Sequence, residues 1–248
     1  MDLPPSFTIR ERDHRIHDPF TEEKFAILGR AIGLWPGTTV LDLASGSGEM
    51  LCQWARDHGV TGAGVDISTV FVAAARARAV ELGVADRVTF RHGDAAGHVA
   101  ATPVDVAACV GATWIGGGVT GTIALLERSL LPGGLLLVGE PYWRMDPPDQ
   151  ATVEGCHATS RDDFRDLPGL VTLFGDLGWD LVEMVLADED SWDRYVAAQW
   201  FTVRKWLDAN PGHELAGAFR AELDTAPLQY VRYGRPYLGW GVFVLKRR

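Results

Sequence analysis

The stretch TVLDLASGSGEM, residues 39–50, has the pattern of a buried strand that runs through a glycine turn into a helix. Residues 40–43 form a short apolar run around one aspartate, and Gly46 and Gly48 allow backbone angles that other residues resist. A helix that begins directly after such a turn presents free backbone N–H groups and the positive end of its dipole to a polar or anionic group. The stretch therefore predicts a cofactor site.

Strands and helices alternate on either side of this unit. Apolar runs predict further strands at 62–67, at 88–95, at 104–112, before Glu140, at 179–188 and at 239–247. Helical spacing and stop signals predict helices from Asp18-Pro19 to residue 32, at 69–82, near 120–130, at 191–209 and at 212–224. This order indicates an open α/β sheet, mostly parallel, with helices on both faces and the last two strands paired as an antiparallel hairpin at the edge.

The chain is predicted to be a single domain, residues 1–248, with additions around the sheet. Residues 1–20 carry two prolines and many charges, which is typical of an arm or lid and not of a core segment. Residues 142–168 and 188–238 interrupt the regular alternation, and we expect them to be insertions that cap the site.

The composition limits the classes of partner. The formal net charge of −10 and the absence of a long basic run argue against binding of nucleic acid. Cys52, Cys109 and Cys156 are too widely spaced for a metal site and indicate a reducing, cytoplasmic setting. The N-terminal sequence is polar and no apolar run is long enough to cross a bilayer, so we expect no membrane partner. A monomer and a homodimer both stay open.

Acidic residues mark the strand ends, where parallel α/β sheets bind their ligands. Asp66 lies 20 residues after Gly46, a distance that places a carboxylate beside the ribose of a nucleotide held on the glycine turn. The dinucleotide fingerprint nevertheless fails, because Leu51 stands where the third glycine is needed. A nucleotide-like cofactor other than NAD is therefore expected.

Residues 40–48, VLDLASGSG, resemble motif I of the class I S-adenosylmethionine-dependent methyltransferases. An acid that ends the second strand, Gly-Asp-Ala at 93–95 and Pro-Gly-Gly at 132–134 follow in the family's order. The segments HRIHDPFTEEKF, ACVGATW and GEPYWR also resemble a bacterial subgroup near the ubiquinone-biosynthesis-type methyltransferases. The resemblance implies a Rossmann-like seven-stranded sheet whose last strand is antiparallel. Ala44 departs from the commoner glycine of motif I.

The resemblance also implies roles for individual residues toward S-adenosylmethionine. Gly46 and Gly48, with Ala44 in the same turn, would let the backbone approach the methionine part, and Asp42 would orient its ammonium group. Asp66 would accept both ribose hydroxyls. The remaining cofactor residues would contact the adenine or pass beneath the methionine, namely Ile67, Asp94, Ala95, Cys109 and Gly111.

The expected reaction is methyl transfer to a small molecule in an aromatic-rimmed pocket, in which positioning and removal of water supply most of the catalysis. Trp114 and Tyr142 fall at the predicted rim, and Glu140, His17, His14 or Tyr142 are candidates for a general base. Two alternatives remain open: intramolecular attack on the sulfonium of S-adenosylmethionine, and a sensor that binds the cofactor without catalysis.

Overall fold

The computed structural model describes residues 2–248 and contains one seven-stranded sheet. The strands are β1 (Thr39–Leu43), β2 (Thr61–Asp66), β3 (Val88–His92), β4 (Val104–Val110), β5 (Leu130–Trp143), β6 (Trp179–Leu186) and β7 (Leu238–Arg247). Their order across the sheet is β3-β2-β1-β4-β5-β7-β6, and β7 alone is antiparallel to its neighbours. The predicted mostly parallel Rossmann-like sheet is confirmed, with β4 at its centre and the β6–β7 hairpin at one edge.

The helices surround this sheet. They are α1 (Pro5–Glu11), α2 (Glu22–Ala31), α3 (Glu49–His58), α4 (Thr69–Glu81), α5 (Val119–Glu127), α6 (Gln150–Gly155), α7 (Leu167–Asp176), α8 (Glu189–Ala209), α9 (Ala216–Gln229) and α10 (Arg235–Tyr237). Short 3-10 turns at Thr113–Gly116 and Arg161–Asp163 and a π-helical turn at Tyr230–Gly234 complete the set. Within residues 2–248, none of these helices combines the length and the apolar character needed to span a bilayer.

Both faces of the sheet are covered, because alternate residues of each strand enter different cores. Val40 packs in the core beneath α2, α3 and α4, whereas Leu41 packs in the core beneath α5 and α7. The same alternation separates Val242 from Phe243 in β7. Strands buried on both sides read as continuous apolar runs, which explains why the sequence showed them clearly.

Local capping corrects one predicted boundary. The helix expected to begin at Asp18-Pro19 begins at Glu22, because the Thr21 hydroxyl accepts the Lys24 backbone N–H at 3.3 Å and serves as the N-cap. The Asp18 carboxylate instead accepts the Phe20 backbone N–H at 2.9 Å. Asp18 is therefore available for a role other than helix capping.

The arm and the additions pack on one another. Ile9 of α1 contacts a small core shared by α8 and α9, in which Val203, Trp206 and Phe219 are buried. A second small core joins Trp143 to the 150–164 region and to the chain before β7. The end of the arm reaches the carboxyl end of the sheet, where His17 Nε2 lies 2.8 Å from the hydroxyl of Ser47 in the turn after β1.

The sheet order fixes where a ligand can bind. The chain runs from β1 to β2 and β3 on one side, and then crosses from β3 to β4 on the other side of β1. Such a reversal opens a crevice between the carboxyl ends of the two central strands. The glycine turn after β1 lies at this point.

Candidate active site

A cavity of about 750 Å³ lies at the carboxyl ends of β1, β2 and β4. The strand ends and the turns that follow them supply part of its wall, and the N-terminal arm supplies Leu3, Pro4, Phe7, Arg15, Ile16, His17 and Asp18. The predicted site residues on the wall are His17, Asp42, Ala44, Gly46, Asp66, Ile67, Asp94, Ala95, Gly111 and Trp114. Gly48, Cys109, Glu140 and Tyr142 are not among the residues that line it.

The turn after β1 is held by backbone bonds to the neighbouring strand. The backbone N–H groups of Ala44 and Ser45 both donate to the Val65 carbonyl, at 2.8 and 3.2 Å. Gly46 has a φ of +52°, and a Cβ at this position would lie 2.7 Å from Cδ2 of His17. Glycine is favoured here, because a side chain would be strained in the left-handed backbone and would displace the His17 ring.

Asp66 ties this turn to the end of β2. One carboxylate oxygen accepts the Gly46 N–H at 2.8 Å, and the other accepts the Ser68 N–H at 2.8 Å. Each carboxylate oxygen has two acceptor sites, so both oxygens can accept one further hydrogen bond from the cavity. A pair of neighbouring hydroxyl groups matches that capacity.

Asp42 is a buried carboxylate without a partner. Its side chain accepts no hydrogen bond from any residue in 2–248 and forms no ion pair there, although it lines the cavity and is only 3% exposed. Burial, together with the nearby charges of Asp66 and Asp18, raises the pKa of Asp42 to about 8. A buried carboxylate in this setting favours a cationic ligand, such as a primary ammonium group.

The third strand contributes a polar turn. The Asp94 carboxylate accepts the Ala96 backbone N–H at 2.8 Å, and Ala95 is buried beside it on the cavity wall. Ile67, which follows β2, lines the same region, and its carbonyl accepts a hydrogen bond from His92 at 2.9 Å. An apolar side chain next to a hydrogen-bonding turn suits a flat heterocycle with polar edges.

Two of the predicted cofactor residues support the site from behind the wall. A Cβ at Gly48 would lie 2.6 Å from the Phe90 ring and 2.8 Å from Cβ of Ala75, so this glycine is needed for helix packing. Cys109 is fully buried in the core beneath α5, and burial raises the pKa of its thiol well above the usual range. Gly111, two residues later, does reach the cavity.

Glu140 and Tyr142 also lie behind the wall. The Glu140 carboxylate accepts the Thr113 hydroxyl at 2.7 Å, and burial raises the pKa of Glu140 to about 7. The Tyr142 ring lies against the backbone of Gly239, where an added Cβ would be 2.2 Å from Cζ. Glu140 thus holds the turn that carries Trp114, and Tyr142 packs in the core beneath α5 and α7.

His17 crosses the glycine turn from the arm. Its Nε2 lies 2.8 Å from the Ser47 hydroxyl, and its ring stacks on Phe71 with centroids 4.1 Å apart. Trp114 lines the cavity but is 70% exposed, so its indole has room to move over a bound molecule.

A buried polar cluster fastens the arm to α8. The Glu11 carboxylate accepts His14 Nδ1 at 2.7 Å, the Tyr195 hydroxyl at 3.1 Å and the Gln199 amide at 2.6 Å. Burial alone would raise the pKa of Glu11, but the hydrogen bonds from His14 and His17 outweigh it and hold the pKa at about 2. His14 is therefore engaged with Glu11 and does not line the cavity.

The sequence did not single out Asp18, Glu11 or Tyr195 as site residues. The sequence predicts Asp18 as a helix start and assigns no individual role to Glu11 or Tyr195. An acid directly before Pro19 and two histidines in one short arm were the available signals. Their meaning depends on contacts with residues about 180 positions away, which no local pattern reveals.

Comparisons with known proteins agree with this geometry. The family model described as "Methyltransferase domain" matches residues 40–134. The "Uncharacterized protein YjhP" of Escherichia coli K12 is 59% identical over the full length of both chains.

Two similar solved structures carry a ligand. The S-adenosylmethionine-dependent methyltransferase of Geobacter sulfurreducens, in complex with S-adenosylhomocysteine, is 62% identical with a TM-score of 0.98, covering 100% of this chain and 99% of that one. The corresponding enzyme of Thiobacillus denitrificans, in complex with the same molecule, is 58% identical with a TM-score of 0.98 over 100% of both chains.

Proposed function

This chain belongs to the family of S-adenosylmethionine-dependent methyltransferases, and on that premise we propose that it methylates a small molecule inside the cavity at the carboxyl end of its sheet. Its cofactor is S-adenosylmethionine. The observation that carries the proposal is the partnerless Asp42 carboxylate beside the free acceptor sites of Asp66, because together they match an ammonium group and a pair of ribose hydroxyls.

The residues on the wall fit this cofactor in several ways. Asp42 would pair with its ammonium group, and Asp66 would accept the two ribose hydroxyls through charge-assisted hydrogen bonds. Ile67 would pack against the adenine ring. The turn at Asp94 and Ala95 would accept a hydrogen bond from the adenine amino group. The absence of a Cβ at Gly46 lets the His17 ring lie against the turn.

The bound cofactor supplies a methyl group on a sulfonium, which reacts with a nucleophile placed in line with the S–C bond. The chain's own contribution is to hold the acceptor in that position and to exclude water. Phe7, Phe71, Trp114 and Tyr195 give the cavity an aromatic lining. We infer an acceptor with some apolar surface.

The volume of the cavity supports a small acceptor. Ligand pockets in proteins usually measure roughly 300–1,000 Å³, so about 750 Å³ holds the cofactor and a compact second molecule. A protein or nucleic-acid acceptor would have to enter past the arm, and the net charge of −10 opposes nucleic acid.

The first test is calorimetric titration with S-adenosylhomocysteine, with NAD as the control ligand. The wild type should bind S-adenosylhomocysteine and not NAD, and Asp66→Asn should weaken the binding about 10- to 100-fold because it removes the charge from two hydrogen bonds. An unchanged dissociation constant in the variant would remove Asp66 from the cofactor site.

The second test identifies the reaction from its products. Incubation with S-adenosylmethionine and a panel of small acceptors should release S-adenosylhomocysteine and one methylated acceptor in equal amounts. Release of methylthioadenosine would instead indicate intramolecular attack on the sulfonium. Tight binding of the cofactor without turnover of any acceptor would favour the sensor.

A further inference from the structure

We propose that the methyl acceptor is a small amine with an apolar skeleton, and that Asp18 binds its ammonium form and then removes the proton. The inference rests on the proposed methyl transfer and deepens it, because it names the acceptor class and the base. Asp18 lies on the cavity wall and is 9% exposed.

One oxygen of Asp18 is free to meet a ligand. Oδ1 accepts the Phe20 backbone N–H at 2.9 Å, whereas no residue in 2–248 donates a hydrogen bond to Oδ2. The side chain also forms no ion pair with any residue of that range, and the start of α2 is capped by Thr21. A buried carboxylate in this condition is costly to the protein unless a ligand offsets the cost.

Asp18 lies where the arm meets the end of β4 and the side of α8 that carries Tyr195. An added Cβ at Gly111, at the end of β4, would lie 3.7 Å from Cβ of Asp18. Tyr195 and Trp114 line the cavity as well, so aromatic faces are available to a cation there. The glycine turn, which carries the cofactor in our proposal, is covered by His17.

The other acids of the wall are already assigned. Asp42, Asp66 and Asp94 have proposed partners on the cofactor. Glu49 is neutralised by Arg78, whose guanidinium donates two hydrogen bonds to it at 2.8 Å. Asp18 is the carboxylate of the wall left without a positive partner.

The cationic groups of the wall do not reverse this charge balance. His17 faces Ser47 and Glu11, and Arg15 lies 3.5 Å from Glu81 in an exposed ion pair. An acceptor with a carboxylate or phosphate next to its reacting atom would meet Asp18 without a compensating cation. The charges therefore select for an ammonium group at this position.

The proton and electron balance closes without any further reactant. The ionised Asp18 takes one proton from R–NH₃⁺, which gives a neutral carboxylic acid and R–NH₂. The nitrogen lone pair then forms the N–C bond while the S–C bond breaks. The electron pair of the broken S–C bond remains on sulfur. The products are S-adenosylhomocysteine and R–NH₂⁺–CH₃. Burial raises the pKa of Asp18 to about 7, which makes it a better proton acceptor than an exposed aspartate near neutral pH.

The experiment is titration of the protein saturated with S-adenosylhomocysteine, using benzylamine and phenethylamine against their isosteric alcohols. The wild type should bind the amines at least about 10-fold more tightly than the alcohols. Asp18→Asn should bring the two classes within about 3-fold of each other, while its affinity for S-adenosylhomocysteine stays within about 3-fold of wild type. Asp42→Asn is the matched control and should lose affinity for S-adenosylhomocysteine.

The outcomes separate the two proposals. If wild type binds S-adenosylhomocysteine but shows no preference for the amines, or binds none of them, Asp18 does not select an amine and the inference is overturned. If Asp18→Asn weakens S-adenosylhomocysteine as strongly as Asp42→Asn, Asp18 belongs to the cofactor site and the inference also fails. Failure of wild type to bind S-adenosylhomocysteine would overturn the proposed function itself.

Discussion

Ala44 occupies a left-handed backbone conformation, with φ at +60°, in the turn that follows β1. The commoner residue of this motif is glycine, and a Cβ in the left-handed region costs roughly 1–2 kcal/mol. The strain is held by the two hydrogen bonds from Ala44 and Ser45 to the Val65 carbonyl. The methyl group of Ala44 offsets part of this strain, because it packs against the core beneath α5.

We predict that Ala44→Gly changes the free energy of unfolding by less than about 1 kcal/mol, since relief of strain is offset by the lost methyl contact and by the greater flexibility of glycine. Urea denaturation measures the change. The matched control is Gly83→Ala, which introduces the same strain at φ +67° in open space and should destabilise by about 1–2 kcal/mol. A loss above 2 kcal/mol in Ala44→Gly would show that the methyl contact dominates.

The pH dependence of catalysis gives a second prediction at the scale of single residues. Asp18 must be ionised to accept a proton, so kcat/KM for an amine acceptor at saturating S-adenosylmethionine should fall as the pH falls through about 7. The charged or titratable groups near Asp18 are Glu11 on the arm, Asp42 on β1 and Tyr195 on α8, with His17 next to it in sequence.

Variants identify the group that causes this fall of kcat/KM at low pH, which we call the acid limb of the profile. The limb should disappear from the residual activity of Asp18→Asn and persist in His17→Gln. Retention of the limb in Asp18→Asn would assign the proton transfer to another group.

Asp42, Asp66 and the glycine turn were predictable because they follow one another within a single strand-helix-strand unit, where local spacing determines position. Glu140 and Tyr142 carried the same kind of signal, because the predicted fifth strand ends at Glu140, although the observed β5 continues to Trp143. The Glu140 carboxylate instead accepts the Thr113 hydroxyl, and the Tyr142 ring packs against Gly239. These contacts depend on a turn and a strand far away in the chain. Pattern alone locates a strand end but not the direction in which each side chain leaves it.

At the scale of elements, the arm is the part of the chain whose structure its own sequence least determines. Helix α1 has only seven residues, begins at a proline and is too short to be stable in isolation. Its order comes from the contacts of Glu11 and Ile9 with α8 and α9. Helix α7 has no counterpart among the predicted helices. Helix α9 continues through Pro227 into a π-helical turn, beyond its predicted end at 224.

We predict that Glu11→Gln lowers the free energy of unfolding by about 1–3 kcal/mol, because the amide cannot accept from all of the buried donors that face the carboxylate. It should also increase hydrogen exchange in residues 5–17 and speed the dissociation of S-adenosylhomocysteine. Chemical denaturation, hydrogen exchange and stopped-flow dissociation measure the three effects.

A second ion pair of the arm serves as the control. Arg10 and Glu222 join α1 to α9 at 2.7 Å but are partly exposed, so Glu222→Gln should cost no more than about 1 kcal/mol. Equal effects of the two substitutions would mean that the buried cluster has no special part in holding the arm.

At the scale of the whole molecule, the fold brings several carboxylates to one water-poor cavity. The sheet supplies Asp42 and Asp66, and the arm adds Asp18, so the folded protein concentrates negative charge that the unfolded chain keeps apart. Binding of the cofactor and of the proposed cationic acceptor supplies the missing positive charge. The same residues that lower the stability of the free protein therefore provide affinity for its ligands.

The sign of the resulting pH dependence follows from the raised pKa values. In the folded protein the pKa is about 8 for Asp42 and about 7 for Asp18, against an ordinary value of 3.8 in the unfolded chain. The folded state therefore binds more protons between these limits, and the free energy of unfolding must decrease as the pH rises through that range. Each unit by which a pKa is raised corresponds to about 1.4 kcal/mol.

We predict that the ligand-free protein loses about 4 kcal/mol of stability between pH 6 and pH 9, most of it through Asp42, as measured by urea denaturation. Saturation with S-adenosylhomocysteine should flatten this decrease, because its ammonium group stabilises the ionised form of Asp42. Asp42→Asn should flatten it without ligand, since an amide does not ionise, and should lose the extra stabilisation that the ligand gives at high pH. If stability decreases with the same slope in wild type and Asp42→Asn, ionisation of Asp42 does not cause the loss of stability. The electrostatic basis proposed for cofactor binding would then be wrong.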